Sequence, residues 1–168
     1  MGCVGSWTFL PLTGGHGAGT FTFVDTDTYE AVAGLRWWRL VTRWGDYALT
    51  RIEGRQHLLH RMVLGLAPGD PRKGDHRNHD GLDNRRCNLR IVSNAENGQN
   101  RRGAQANNRT SRHRGVSYSA GEGKWKTGVQ INGRRYRLGT YENEQEAHRA
   151  VLAFRREHMP YSQADQEG

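Results

Sequence analysis

The sequence predicts an α+β protein of small separate units. A strand-rich scaffold comes first, a core of two strands and a helix next, and a three-stranded antiparallel sheet on one helix last. Three observations predict this. Hydrophobic residues make up 35% of the 168 and mean hydropathy is −0.89, too little apolar material for one large core. Short alternating runs recur between Gly, Asn and Asp turns. Helical spacing is confined to a few short stretches, the clearest at 143–157.

In chain order, residues 9–12, a turn holding Gly14, Gly15, Gly17 and Gly19, and residues 20–24 read as a hairpin. Asp25 to Asp27 is placed to cap a short helix over 29–33. Residues 35–41 and 47–52 read as two further strands, with Trp37 and Trp38 as core filling. Residues 57–65 are apolar at 58, 59, 62, 63 and 64, a short buried helix. His57 and His60 lack the second ligand pair that a zinc site needs, so they read as packed or surface residues.

Charge points to a polyanion. The net charge is +8 and the isoelectric point about 10.1, but residues 1–56 balance five Arg against five acids. Residues 101–137 carry ten Lys and Arg against the single Glu122. Basicity that is local favours nucleic acid over a merely soluble surface. Cys3 and Cys87 stand far apart with no CxxC. That argues against a zinc ribbon or a disulfide framework, and fits a reducing cytoplasmic setting rather than secretion. No apolar run approaches the ~18 residues of a membrane span. The start, Met1-Gly2-Cys3-Val4-Gly5-Ser6, fits an acylation pattern, but the stretch after it reads as a strand and no membrane role is expected.

The chemistry concentrates in 75–97. Asp75 stands beside His76, and Asn88 and Asn97 follow His76 by twelve and twenty-one residues. Asn78, Asp80 and Gly81 make a loop, residues 89–92 a strand, and Ser93 with Glu96 a capping box that puts Asn97 in the first turns of a helix. A phosphodiester is anionic and resists attack, so cutting it requires an activated water and neutralised charge on the leaving oxygen. A histidine titrating near neutrality suits the base. A carboxylate and an amide oxygen are hard ligands, suited to Mg²⁺ or Mn²⁺. A further Asn can hydrogen-bond the imidazole and fix its tautomer. The plain alternative is that these Asp and Asn residues only form loops and caps.

Leu59-His60-Arg61, Asp75-His76, Asp80 to Arg85, Asn88-Leu89-Arg90 and Glu96-Asn97 together resemble the HNH homing endonucleases of the ββα-metal (His-Me finger) class. The resemblance implies that His76 is the general base, that Asp75 and Asn97 hold one divalent ion, Mg²⁺ or Mn²⁺, and that Asn88 orients His76. It further implies 5′-phosphate and 3′-hydroxyl ends, and a phage or mobile-element setting in a bacterial or phage-infected cell. The family's leader resembles 25–56 more weakly. Three features depart from the pattern: Pro71 to Gly74 replaces an apolar strand, Arg77 an aliphatic residue, and His79 a glycine.

Beyond the core, 100–114 holds Arg101, Arg102, Arg109, Arg112 and Arg114 with no acid, a basic arm that can track a DNA backbone. Three strands then follow from Val116, with an Asn132-Gly133 hairpin turn. Trp125, Thr127, Val129 and Ile131 share one face, and Lys126, Gly128 and Gln130 the other. A helix capped by Asn143 and Glu146 covers the apolar face with Ala147, Ala150, Val151 and Phe154. Arg114-Gly115-Val116, Lys124-Trp125-Lys126, Arg137-Leu138-Gly139-Thr140-Tyr141 and the Ala-rich helix resemble the Apetala-two (ethylene-response-factor) DNA-binding domain. Carried over, the DNA-facing residues are Arg114, Ser117, Ser119, Lys126, Gln130, Arg135 and Arg137, joined by Arg101, Arg102 and Arg112 of the arm.

The domains expected are therefore a scaffold at 1–56, a nuclease core at 57–102, a basic linker at 103–113, a DNA-binding domain at 114–161 and a tail at 162–168. The function expected is a metal-dependent endonuclease acting on double-stranded DNA, as a monomer with a dimer as the alternative. The rival is a non-catalytic, transcription-factor-like DNA-binding protein on a vestigial nuclease scaffold.

Overall fold

The computed structural model describes residues 5–100 and 108–162. The chain divides into two compact units, Met1–Asn94 and Ala95–Gly168, both of mixed α+β build.

The first unit opens with the expected hairpin, β1 (Trp7–Leu12) and β2 (Thr20–Asp25), antiparallel with Leu10 opposite Thr22. Alternation puts Leu10, Leu12, Thr22 and Val24 inside. Trp7, Phe9, Phe21 and Phe23 lie on the outer face, where their rings meet edge-on or tilted. Helix α1 (Thr26–Val32) follows, and its N-cap Asp25 makes no side-chain cap bond. That carboxylate accepts from the Arg86 backbone N–H at 2.8 Å instead.

Strands β3 (Trp38–Thr42), β4 (Gly45–Ile52) and β5 (Arg55–Leu58) form an antiparallel sheet with β4 central. Residues 35–37, expected in the strand, form its approach. There the Trp37 carbonyl takes the Thr13 N–H at 2.7 Å, and the Trp37 indole N–H donates to the Val32 carbonyl at 3.1 Å. Trp37 is core, as expected, while Trp38 is half-buried. The expected helix over 57–65 shortens to α2 (Leu59–Val63), because 57 and 58 belong to β5. The turn before β5 places Glu53 at φ 49° and Gly54 at φ 77°, a left-handed pair that composition hides because Glu occupies the first position.

Strands β6 (Lys73–His76) and β7 (Leu89–Val92) pair with Asp75 opposite Arg90 and His76 opposite Leu89. The core of the unit gathers Leu10, Leu12, Val24, Val32, Trp37, Ala48 and Leu59.

Cys87 is disulfide-bonded, where the spacing predicts a free thiol. The other cysteine, Cys3, lies outside the described residues. The bonded sulfur removes the support that free thiols gave to a reducing compartment.

The second unit begins within α3 (Asn94–Gln99), at Ala95, and continues with β8 (Val116–Ser119), β9 (Lys124–Ile131), β10 (Arg134–Tyr141) and α4 (Glu144–His158). Strand β9 is central. Asn143 caps α4 by accepting the Glu146 N–H at 2.9 Å. The helix packs Ala147 and Val151 with Val116 and Val129 of the sheet, the expected cover. Residues 108–113, expected as linker, pack on this unit: Asn108 donates to the Val116 carbonyl at 2.6 Å and the Ser111 hydroxyl to Glu144 at 2.6 Å. Among the described residues, no helix is long and apolar enough to cross a membrane.

Candidate functional site

The β6–β7 hairpin is joined by the loop 77–88, and the loop is woven from Asx turns. The Asn78 side chain accepts from the Asp80 N–H at 2.9 Å and donates to Asp83 at 2.9 Å. Asp80 accepts from the Leu82 N–H at 2.9 Å. His79 takes φ 63°, so the position does demand the left-handed region where the resemblance expects glycine. Asp83 is gripped in a fork by Arg85 at 2.7 Å on each oxygen. Burial opposes its ionisation, but the Arg85 hydrogen bond and charge bring its pKa below the ordinary value. Gly81 is obligatory, since a Cβ there would sit 2.1 Å from the Asp46 carbonyl and 2.9 Å from the Tyr47 ring.

His76 is buried at 6% exposure. Its ring lies 4.9 Å from that of His60 and 6.0 Å from that of Tyr47. Burial lowers its pKa; the Asn84 hydrogen bond and the carboxylates of Asp75, Asp80 and Asp83 pull the other way, and the net is below the ordinary value. The imidazole is therefore neutral at pH 7 and able to take a proton. Its Nε2 lies 3.2 Å from Asn84 Oδ1.

That contact corrects the expectation for Asn88. The Asn88 side chain accepts from the Asn78 N–H at 3.1 Å and donates to the Asp83 carbonyl at 2.7 Å. Asn88 holds the shape of the loop, and Asn84 touches His76. Asp75 is buried beside Arg90, whose guanidinium donates to Oδ2 from Nε at 2.8 Å and from Nη2 at 2.7 Å. Asn97 is exposed on α3, in the second unit.

Sequence reading missed Asn84, Arg90, Tyr47 and Thr22. Asn84 and Arg90 stood inside the recognised stretch without a role. Thr22 left a faint signal in β2, where the two Phe rings turn outward and the Thr inward.

His60 reads from sequence as a packed residue, and its packing partner is the candidate base. Burial, with the neighbouring His76 and Arg61, pushes its pKa down to about 3 from 6.5. Below pH 6.5 the unfolded chain therefore binds a proton that the folded one refuses, so stability rises with pH between those values. Lowering the pH to about 4.5 should cost about 2–3 kcal/mol through this residue. Urea melts across that range should show a shallower slope for His60→Phe than for the parent; equal slopes would remove His60 as the cause.

The cation-holding residues implied by the resemblance are one carboxylate and one amide oxygen, a donor set that suits a hard divalent ion. Arg90 holds Asp75 through Oδ2. Among the described residues, no three His, Cys, Asp or Glu side chains cluster as a metal site; a pair of one Asp with one Asn is a different kind of donor set.

In the second unit, Ser117, Lys126, Gln130, Arg135 and Arg137 are exposed and Ser119 half-buried on the sheet. Lys126 lies opposite Ser117 in the register, Gln130 opposite Arg135, and Gly128 opposite Arg137. Gly128 leaves room for the Arg135 guanidinium, which a Cβ would meet at 3.2 Å. Lys126 is paired with Glu122. Arg114 departs from the expectation: its guanidinium donates to the carbonyls of Gly98 and Gln99 at 2.8 and 2.9 Å, closing the end of α3. Arg112 is exposed, and Arg101 and Arg102 lie outside the described residues. No family model, curated protein or solved structure matches the chain.

Proposed function

We propose that the chain is a metal-dependent DNA endonuclease of the HNH homing type, with its C-terminal sheet as the DNA-binding element. One observation carries the reading: a buried histidine follows a buried carboxylate on β6, and one of its ring nitrogens lies against the Asn84 amide oxygen. A structural loop of Asp and Asn turns has no need of such a histidine.

In this reading His76 takes the proton from the attacking water, and Asn84 holds the ring while it does so. Asp75 and Asn97 would hold one Mg²⁺ or Mn²⁺; when bound, the ion supplies positive charge to the phosphate as the leaving oxygen departs. Arg90 keeps the Asp75 carboxylate in one rotamer. Asn88 and the Asp83–Arg85 fork keep the loop in shape around the histidine. The plasmid test is direct: supercoiled DNA should be nicked or cut with Mg²⁺ and left intact with EDTA. Binding without any cleavage would favour the non-catalytic DNA-binding reading instead.

For the second unit, the exposed Arg135 and Arg137 on a twisted three-stranded sheet suit a duplex groove. Arg135→Ala and Arg137→Ala should each weaken binding to duplex DNA by ~1–3 kcal/mol if they reach base edges. Binding titrations at fixed salt measure it, and unchanged affinity in both variants would retire this face.

A further inference from the structure

We infer that the N-terminal hairpin is part of the catalytic apparatus, with Thr22 and Asn84 as positioning residues that lock His76 in the tautomer carrying its proton on Nε2. The inference rests on the nuclease reading only for its consequence in catalysis. The tautomer itself follows from a chain of hydrogen bonds.

The chain begins where β2 runs against the loop. Phe23 N–H donates to the Leu82 carbonyl and Asn84 N–H to the Phe23 carbonyl, each at 2.8 Å. This pins Asn84 to the hairpin through backbone, whatever its side chain does. Thr22 and Asn84 are both fully buried, so water does not compete for their polar atoms.

The Thr22 hydroxyl has one proton, and it goes to the Leu82 carbonyl at 2.7 Å. Toward Asn84, at 2.7 Å, the hydroxyl can then only accept. The nitrogen of the Asn84 amide must face Thr22, and a second acceptor, the Gly81 carbonyl at 3.3 Å, stands on the same side. Both acceptors forbid the flipped amide. The amide oxygen is therefore the atom turned to His76, at 3.2 Å from Nε2. An amide oxygen cannot donate, so Nε2 carries the hydrogen. The lone pair, and with it the ability to take a proton from water, belongs to Nδ1. A hydroxyl sixty-two positions upstream of Asn84 in the chain thus decides which face of the imidazole is basic.

The experiment reads the tautomer directly. In the ¹⁵N-labelled full chain at neutral pH, His76 should show a protonated-type Nε2 and a lone-pair-type Nδ1 signal. Thr22→Ser and Asn84→Asp, which keep an acceptor toward the ring, should preserve that pattern. Thr22→Val removes the nearer of the two acceptors that hold the amide, and Asn84→Leu removes the amide itself; both should give mixed tautomers. In the nicking assay Thr22→Val should lower kcat by on the order of ten- to a hundred-fold, with KM little changed and Thr22→Ser restoring the rate. A parent His76 protonated on Nδ1, or an unaltered pattern in both Thr22→Val and Asn84→Leu, overturns the inference. If the parent chain cuts no DNA, the nuclease reading fails, and the ring signals still decide the tautomer.

Discussion

His76→Ala should lower Mg²⁺-dependent nicking by about 10²–10⁴-fold, the usual contribution of a positioned general base, while leaving DNA affinity within about two-fold of the parent, because the proposed DNA-contacting groups lie elsewhere. The substitution also empties a buried site between the rings of His60 and Tyr47, at a stability cost of about 2 kcal/mol or more. His76→Gln separates the two effects. It fills most of the space, can still donate to Asn84, and offers no nitrogen that takes a proton near pH 7. A stable, DNA-binding and inactive His76→Gln protein is the expected result. Full nicking by either variant would remove His76 as the base, and with it the central role in the proposed mechanism.

Much of the fold was legible because it rests on local signals. The β1–β2 and β9–β10 hairpins announced themselves through alternation and glycine turns, and α4 through its Asn143 cap and apolar stripe. Even the His79 departure was informative, since the backbone there does adopt a positive φ. What stayed hidden depends on contacts between distant segments. The end of β5, His57 and Leu58, reads as helix because Leu58 and Leu59 look alike in a pattern, although one ends a strand and the other begins a helix. The disulfide of Cys87 and the Thr22–Asn84 bond each need a spatial neighbour that no spacing rule supplies. For the site, the residue types were readable, but their division of labour was not. Asn84 and Asn88 are both amides on one loop. Only the register of the loop against β2 decides that the first meets the imidazole and the second the backbone.

Replacing Arg90 tests the cation site by a route that needs no activity. Arg90 and Asp75 are a buried pair across β6 and β7, each side chain about a tenth exposed, 8% and 10%. Arg90→Met keeps the bulk of the stem but takes a charged partner from a carboxylate in a place with little water. Breaking a buried pair by removing one partner typically costs about 3–5 kcal/mol, seen as a lower urea midpoint in EDTA. If Asp75 also serves a divalent ion, the carboxylate freed of the guanidinium becomes a stronger ligand, and the ion can take over its neutralising role. Mg²⁺ should then restore part of the lost stability, by the binding linkage that any ligand of the folded state exerts. The parent, with its carboxylate already neutralised, should gain less from the same Mg²⁺. The double variant Arg90→Met with Asp75→Leu closes the logic: without the carboxylate there is neither a buried charge nor a ligand, so stability should partly recover and the Mg²⁺ effect disappear. An Arg90→Met protein indifferent to Mg²⁺ would make Asp75 a structural partner of Arg90 alone and take the cation away from this hairpin.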